Sequence, residues 1–277
     1  MTWHCERERL GSGEMEVTWL GHSSLFLQCG PSNVLLDPVF SDRCGPKGKL
    51  GPKRSCPVPV HIEPGEANSL PPIDVVAVSH SHYDHCDAPA LRRLIAVHDP
   101  VICVPTGMTW IVSKLGASRV VEFDWWESQE LAGVEVAAIP ARHWSARKPG
   151  DRCKSLWCGW ALREKGEREA FLYVGDTARW HELYEYIGQN LTLRGAAVPI
   201  GAYEPRWFMA SSHVNPDEAA EIHRLLGSPR SLAVHHRTFR LSQEAQDAPR
   251  QRLAELRAQE PGLDGFVDIA IGERIAL

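Results

Sequence analysis

The chain has 277 residues, of which 43% are hydrophobic and 23% are charged, a composition typical of a folded domain with a sizeable core. Its 35 acidic and 30 basic residues give a net charge of −5, which argues against nucleic acid as a partner. No apolar run approaches the roughly 18 residues of a membrane span, and the first residues lack the apolar core of a signal peptide. We therefore expect a cytoplasmic protein with at most peripheral membrane contact, and we leave a homodimer open.

The cysteines and histidines narrow the classes of site that the chain can hold. We expect the eight cysteines to be reduced, because a chain of this length without an export signal does not need a disulfide framework. None of them forms a Cys-x-x-Cys pair, so a thiolate zinc site is not expected. The chain also has 13 histidines, and histidine is the commonest metal ligand in proteins. Their positions therefore direct the search for a site.

The first half of the chain predicts strands followed by alternating strands and helices. Three apolar runs separated by glycine-containing turns predict an antiparallel meander, at residues 17–20, 25–27 and 34–36. The Pro- and Gly-rich residues 45–72 predict a long loop. Further strands are predicted over residues 75–78, 101–104, 120–123 and 134–138, and helices over residues 88–97 and 106–115.

The second half repeats this order. Strands are predicted over residues 156–162, 171–174, 196–200 and 232–234, helices over residues 180–187 and 249–258, and a terminal strand or hairpin over residues 266–275. Asn215, Pro216 and two acids predict the start of a helix that ends at Gly227. Two β-rich halves carrying helices predict an α/β sandwich of two packed sheets with helices outside, formed by a single domain over residues 1–277.

A dense cluster of potential metal ligands follows the strand predicted over residues 75–78. Residues 80–85 have the pattern His-x-His-x-Asp-His. Four such side chains after a buried strand would crowd polar groups that have no partner except a metal. In an extended segment His80 and His82 point the same way and suit one ion, whereas a turn at Asp84 and His85 aims those two at a second ion.

Two ions need further ligands, and three candidates lie at the ends of predicted strands or just beyond them. They are His143, Asp176 and His235. Three strands that deliver His, Asp and His toward one sheet edge favour a shared site over three unrelated polar residues. A carboxylate can bridge two cations, and we assign this role to Asp176.

The motif and its three distant partners resemble the metallo-β-lactamase superfamily. Further segments, spread over about residues 17–240, resemble N-acyl-phosphatidylethanolamine-hydrolysing phospholipase D and its bacterial relatives: TWLGH at 18–22, LDPVFS at 36–41, GPKR at 51–54, LPPID at 70–74, DWWE at 124–127, HW at 143–144 and GAYEPRWFM at 201–209. The resemblance implies the αββα sandwich of that superfamily, in which two mixed sheets pack together.

The resemblance also implies a complete set of ligands for two divalent ions. One ion is held by His80, His82 and His143, the other by Asp84, His85 and His235, and both by Asp176. Zinc is the expected metal, with iron and manganese as alternatives. His236 and Arg237 replace the Trp-Gly that usually follows the last ligand, so His236 competes with His235; we prefer His235 because it lies nearer the strand end.

The resemblance extends to residues that contact the substrate. His213 matches a family histidine that lies beside the metals and contacts the substrate phosphate. Arg206, flanked by aromatic residues that include Tyr203, has two interpretations from composition alone: a grip on a phosphate beside an apolar wall, or a structural arginine in an aromatic turn. The resemblance favours substrate binding by both Tyr203 and Arg206.

Four other residues have two interpretations each. Asp37 either hydrogen-bonds a ligand histidine or is a turn aspartate before proline, and His22 has the same ambiguity. We expect Trp125 and Trp126 to pack rather than to bind, because they follow an apolar strand.

A site with two divalent ions predicts a hydrolase, because such ions make hydroxide available at neutral pH and clamp the substrate oxyanion. We expect the substrate to be a phosphodiester such as N-acyl-phosphatidylethanolamine, with Asp84 orienting the hydroxide and His213 neutralising charge on the phosphate. The alternatives are a lactonase that acts on a phosphorylated sugar lactone and a metal-binding sensor without turnover. A nuclease is disfavoured by the negative net charge.

Overall fold

The computed structural model describes residues 5, 8–58, 60–63 and 69–277. Part of the start of the chain and residues 59 and 64–68 of the predicted loop lie outside the described residues. The described part of that loop contains one short 3-10 helix, Pro46–Gly48, and isolated β-bridges at Lys53 and Arg54.

The strands form two seven-stranded sheets. In chain order they are β1 Met15–Trp19, β2 Leu25–Cys29, β3 Ser32–Leu36, β4 Val75–Ala77, β5 Val101–Pro105, β6 Val120–Phe123, β7 Ser128–Leu131, β8 Val134–Ile139, β9 Gly159–Glu164, β10 Ala170–Tyr173, β11 Leu193–Pro199, β12 Ser231–Val234, β13 Phe266–Val267 and β14 Arg274–Ala276. The first sheet has the order β14-β1-β2-β3-β4-β5-β6, and the second has the order β13-β12-β11-β10-β9-β8-β7.

Both sheets are mixed. In the first, β14, β1, β2 and β3 pair antiparallel, which confirms the predicted meander, and β3 to β6 pair parallel. In the second, β7 to β10 pair antiparallel and β10 to β13 pair parallel.

The described residues also form six α-helices, which lie outside the two sheets. They are α1 Ala88–His98, α2 Thr109–Ser113, α3 His181–Asn190, α4 Arg206–Met209, α5 Pro216–Leu226 and α6 Ala248–Gln259. A central core takes side chains from both sheets, including Trp19 and Trp160, which are fully buried. A second core joins the first sheet to α1 and α2, and a third joins the second sheet to α3, α5 and α6. The predicted αββα sandwich is thus confirmed.

Helix α5 forms as its sequence predicts. The Asn215 side chain accepts a hydrogen bond from the Glu218 N–H at 2.9 Å, and the Glu218 carboxylate accepts one from the Asn215 N–H at 3.0 Å. This capping box satisfies N–H groups that have no partner inside the helix. Gly227, with a φ of +59°, ends the helix in the left-handed conformation that glycine adopts without strain. The segment that follows His213 is therefore rigidly anchored.

Near the end of the first half, one predicted helix is longer than the observed one and one observed strand was not predicted. The helix expected over residues 106–115 spans only Thr109–Ser113, because Gly107 has a φ of +85° and the N–H groups of Gly107 and Thr109 both donate to the Glu122 carboxylate. Strand β7 was not predicted, since three of its four residues are exposed and it lacks an apolar run.

Two further predictions are wrong because of contacts between distant segments. The strand expected from residue 156 begins at Gly159, since the N–H groups of Leu156 and Cys158 donate to carbonyls outside the second sheet, those of Thr106 and Ser79. The terminal segment is neither one strand nor a hairpin: β13 pairs with β12 and β14 pairs with β1, so the chain crosses from one sheet to the other.

The topology brings four strand ends to one place. β9 is antiparallel to both β8 and β10, and β10 to β12 are parallel, so β8, β10 and β12 end at the same edge of the second sheet. His143, Asp176 and His235 follow these three strands. The Cys158 N–H donates to the Ser79 carbonyl at 3.0 Å and joins this edge to the segment after β4, where the histidine motif begins.

Within the described ranges, every helix is too short or too polar to serve as a membrane span.

Candidate metal centre

The structure brings all seven predicted metal ligands together at the shared edge of the two sheets. Their potential ligand atoms form overlapping groups, within each of which the atoms lie no more than 4.8 Å apart. The groups are His80 with His82 and His143; Asp84 with His85, His235 and His22; His80 with His85 and Asp176; and His143 with Asp176 and His213.

The first group matches the set expected to hold one ion. His82 Nδ1 lies 2.8 Å from His80 Nε2 and 3.3 Å from His143 Nε2. Three nitrogens that converge in this way suit a zinc site, which takes imidazole nitrogens at about 2 Å from the ion. Trp144 packs against the His82 ring with 4.3 Å between centroids and so limits the movement of this partly buried ligand.

The second group matches the set expected to hold the other ion. Asp84 Oδ2 lies 3.6 Å from His85 Nε2 and 3.5 Å from His235 Nε2. Both histidines are buried, whereas the Asp84 side chain keeps 16% of its surface exposed. The carboxylate is therefore the part of this group that solvent or a substrate can reach.

Asp176 lies between the two groups. Its Oδ2 is 3.1 Å from His85 Nε2 and 3.7 Å from His143 Nε2, and its Oδ1 is 3.2 Å from His235 Nε2. His80 Nε2 is 4.0 Å from Oδ2. A carboxylate in this position contacts ligands of both groups, which is the placement that a bridging role needs.

The chemistry of the cluster fits bound divalent cations. His85 Nε2, His235 Nε2 and Asp176 Oδ1 are buried and make no hydrogen bond with any described residue, although they face one another at contact distance. An unsatisfied buried polar atom costs about 1 to 3 kcal/mol, so several in one place indicate a missing partner. Imidazole and carboxylate ligands suit zinc, iron or manganese.

The electrostatics of the metal-free cluster favour cation binding. Burial raises the pKa of the Asp176 carboxyl, but His235 and His85 outweigh burial and hold this pKa well below its ordinary value. Burial lowers the pKa of His80 and His143 well below the ordinary value, so both imidazoles are neutral. Ionised carboxylates and neutral imidazoles are the protonation states that bind metals.

Protons occupy part of the same site when no metal is present. Burial lowers the pKa of His235, but the neighbouring Asp176 and Asp84 carboxylates outweigh it and raise this pKa to about 9. The pKa of His85 is also raised, by Asp176, Asp84 and Asp37 against the effect of burial. A metal ion must therefore displace protons from these two imidazoles.

Three ligand histidines are oriented by partners behind them. His85 Nδ1 lies 2.6 Å from Asp37 Oδ2, and the fully buried Asp37 also accepts a hydrogen bond from the Tyr173 hydroxyl at 2.6 Å. His143 Nδ1 donates to the Ser212 carbonyl at 3.0 Å, and His80 Nδ1 lies 2.9 Å from the Ser79 hydroxyl. Such partners leave Nε2 free for the metal. Of the two interpretations of Asp37, the structure shows the contact with a ligand histidine.

His22 also belongs to the cluster. Its Nε2 lies 3.2 Å from Asp84 Oδ2 at hydrogen-bonding geometry, and its ring centroid is 4.2 Å from that of His235. Burial, assisted by His235, lowers the pKa of His22 to about 3, so the neutral ring donates one N–H to Asp84. The sequence left the role of His22 open; the structure places it as a partner of Asp84.

The two adjacent histidines after β12 have different surroundings. His235 faces Asp84 and Asp176, whereas His236 stacks on Trp19 with 4.8 Å between centroids. The Nε2 of His236 lies 3.3 Å from the Ala233 carbonyl and 3.5 Å from the Asp268 carboxylate. The structure thus brings His235 into the cluster and leaves His236 outside it.

His213 lies at the mouth of the cluster. Its side chain is 12% exposed, and its Nδ1 is 3.9 Å from Asp176 Oδ2. Its ring centroid lies 5.0 Å from that of His143, and its N–H donates to the Met209 carbonyl at 2.9 Å. Burial lowers the pKa of His213 to about 4, so the imidazole is neutral.

Tyr203 and Arg206, the two residues expected to bind substrate, make other contacts in the structure. The Arg206 guanidinium donates to both carboxylate oxygens of Glu218 and to the His213 carbonyl, at about 3.0 Å. Tyr203 lies in a surface groove beside Pro216 and Arg252. These contacts favour a role for Arg206 in holding the backbone of His213, and substrate contact by either residue stays a prediction.

Sequence reasoning missed Arg147. One guanidinium nitrogen donates to the carbonyls of Ser81 and Cys86, at 3.0 and 2.8 Å, and so ties the two ends of the histidine motif together. The guanidinium carbon also lies 4.3 Å from the centroid of the Tyr83 ring. No local sequence signal marks this arginine, because its partners lie more than 60 residues away.

Comparisons with known proteins agree with the fold and with a metal-dependent hydrolase. The family model of the β-lactamase superfamily domain matches residues 32–236. The N-acyl-phosphatidylethanolamine-hydrolyzing phospholipase D 1 of Caenorhabditis elegans is 37% identical over 93% of this chain and 74% of that protein. The N-acyl-phosphatidylethanolamine-hydrolyzing phospholipase D, mitochondrial, of Saccharomyces cerevisiae is 35% identical over 86% of this chain, which spans only 51% of that relative.

A solved structure shows the same fold at lower sequence identity. The isothiocyanate hydrolase from Delia radicum gut bacteria superposes with a TM-score of 0.73, over 95% of this chain and 99% of that one, at 18% identity. At this sequence identity, the superposition supports a shared fold and nothing about function. From the matched family model and the 37% identical relative, we conclude that the chain belongs to the metallo-β-lactamase superfamily of metal-dependent hydrolases.

Proposed function

We propose that the chain is a two-metal phosphodiesterase of phospholipase D type that acts on N-acyl-phosphatidylethanolamine or a related phosphodiester. The observation that carries this proposal is the position of His213, whose neutral imidazole lies 3.9 Å from Asp176 at the mouth of the cluster. A hydrogen-bond donor at the position of His213 reaches a substrate oxygen that approaches the ions. The 37% identity to the nematode phospholipase D supports the same substrate class.

The residues of the chain divide the chemistry among them. When bound, two divalent ions lower the pKa of water and stabilise negative charge on a phosphate. Asp84, which is partly exposed and held by the His22 N–H, orients the attacking water through Oδ2. His213 donates to a phosphate oxygen as negative charge increases in the transition state.

Two alternatives lead to different experimental outcomes. A lactonase would use the same ions to open the lactone ring. The hydrogen-bond donor of His213 would help it only if the phosphate of the sugar lactone lay near His213. A sensor would bind metal without turnover. Zinc as the metal, a cytoplasmic location with peripheral membrane contact, and a homodimer all stay predictions.

The test is a substrate screen on metal-reconstituted protein. Protein stripped by a chelator is loaded with Zn²⁺, Mn²⁺ or Fe²⁺, and elemental analysis should find about two ions per chain. It is then assayed on N-acyl-phosphatidylethanolamine vesicles, other glycerophospholipids and a phosphorylated lactone. The proposal predicts phosphatidic acid and N-acylethanolamine as products. Lactone opening without phosphodiester cleavage, or two bound ions without any turnover, would refute it.

A further inference from the structure

An open aromatic groove lies on the surface outside the metal cluster, and the proposed function does not use it. The groove is lined by Trp126, Trp180, Glu182, Leu183 and Tyr186 and has a volume of about 500 Å³. We propose that this aromatic groove binds a quaternary ammonium group such as that of choline, between the ring faces and the Glu182 carboxylate.

Two exposed rings form a corner of the groove. Trp126 and Tyr186 are 51% and 54% exposed, their centroids are 5.7 Å apart, and their planes meet at 76°. The face of an aromatic ring attracts a cation that lies within about 6 Å of its centroid. The two rings meet edge to face, and because both are about half exposed they leave ring surface open to a cation. Trp180 adds a third aromatic side chain to the lining.

The backbone conformation at Trp126 holds its side chain toward the surface. Its φ is +70°, which is an outlier for a bulky residue, and its N–H donates to the Ala138 carbonyl at 2.7 Å. The preceding Trp125 points inward, where its indole N–H donates to the Trp157 carbonyl at 2.6 Å. The prediction that both tryptophans pack is therefore correct for Trp125 and wrong for Trp126.

The charge of the groove suits a cation. Glu182 accepts no hydrogen bond from any residue within the described ranges, although two basic residues precede it closely. Both basic residues contact Glu221: one Arg179 nitrogen lies 2.7 Å from the Glu221 carboxylate, and His181 Nδ1 lies 2.8 Å from the same carboxylate. Glu182 still contributes to the raised pKa of Arg179, but its carboxylate lines the groove without a hydrogen bond to a described residue.

The lining selects the class of cation. A primary ammonium group loses hydrogen bonds to water when it is desolvated, and ring faces do not replace them. A trimethylammonium group has no N–H to satisfy, and its methyl groups contact ring faces directly. Among the five lining residues Glu182 provides the single carboxylate, which supplies the counter-charge. An anionic lipid surface would be repelled by the same carboxylate.

The experiment compares choline with its uncharged analogue of the same shape, 3,3-dimethyl-1-butanol. The full chain is titrated with each by calorimetry, with and without bound zinc. We expect choline to bind at least about tenfold more tightly than the alcohol, because the ring faces and the Glu182 carboxylate attract the positive charge that the alcohol lacks. Trp126→Ala should weaken choline binding by about tenfold, and Glu182→Gln by at least about threefold.

A second exposed aromatic pair provides the control. Trp207 is 86% exposed and lies 5.7 Å from Phe208 between centroids, so Trp207→Ala removes a comparable ring at another place. This variant should bind choline as the unchanged chain does, and thermal melting should show that all variants fold. Equal affinity for choline and the alcohol, no saturable binding, or a loss confined to the Trp207 variant would overturn the proposal.

Discussion

Replacing His213 with alanine removes an imidazole from the mouth of the metal cluster and leaves the surrounding backbone anchored. The His213 N–H donates to the Met209 carbonyl at 2.9 Å, and its carbonyl accepts from Arg206 at 3.0 Å. Neither bond needs the side chain. The seven predicted ligands also stay in place, so we expect the variant to fold and to bind both ions.

The expected loss follows from the protonation state of the ring. Burial lowers the pKa of His213 to about 4, so near pH 7 it acts as a neutral hydrogen-bond donor. Removing a positioned donor to transition-state charge costs about 100- to 1,000-fold in rate, or about 2.7 to 4 kcal/mol. The kcat for phosphodiester cleavage should therefore fall by about 100-fold or more. A carboxylic ester without a phosphate should lose much less.

The assay measures kcat and KM on both substrate types with the zinc-loaded variant, and elemental analysis verifies its metal content. His181→Ala is the matched control, because His181 is 43% exposed and pairs with Glu221 outside the cluster. It should have normal activity. Equal losses on both substrate types would make His213 a structural residue, and unchanged phosphodiester turnover would remove the main support for the proposed function.

Three further predictions concern the second group of ligands. Asp84→Asn should keep the fold by circular dichroism but lose most hydrolysis, since an amide cannot supply the same charge; near-normal turnover in the metal-loaded variant would contradict this role. His22→Phe should lower the affinity of one of the two ions in chelator competition, and His22→Gln, which keeps an N–H, should restore part of it; equal effects of both variants would exclude the hydrogen bond to Asp84 as the cause. The metal-free protein should lose stability as pH rises from about 7.5 to 9, where the histidines with lowered pKa values are neutral in both the folded and the unfolded state. The raised pKa of His235, about 9, provides stability that is complete below the unfolded value near 6.5 and is lost as pH rises through the folded value. Urea unfolding should show a loss of about 1 to 2 kcal/mol from His235 alone, and a flat or rising profile would disprove it.

Most of the fold could be predicted because apolar periodicity is a local property of the sequence. The strand over residues 120–123 and helix α5 appear with the predicted bounds, since one has a compact apolar run and the other has both caps. Strand β7 has no such run, because its residues are largely exposed and its hydrogen bonds to β8 hold it in place. The start of β9 depends on backbone bonds to Thr106 and Ser79, which no local pattern contains.

The candidate site shows the same division between local and distant information. The motif at residues 80–85 is local, and the positions of His143, Asp176 and His235 after strands follow from the element pattern. The partners of these ligands are distant in sequence: Asp37 lies 48 residues before His85, and His22 lies 62 residues before Asp84. A hydrogen bond between such residues exists only after the two sheets have packed together.

The backbone explains why His235 rather than His236 enters the cluster. Strand β12 ends at Val234, and His235 has a φ of +62°, a left-handed conformation that breaks the alternation of side chains along the strand. His22 and Asp37 also have positive φ values, of 54° and 40°. Residues other than glycine adopt this region only when their surroundings hold them there, and the His235 N–H donates to the His22 carbonyl at 2.9 Å. The same bond therefore fixes two left-handed residues and aims both imidazoles at Asp84.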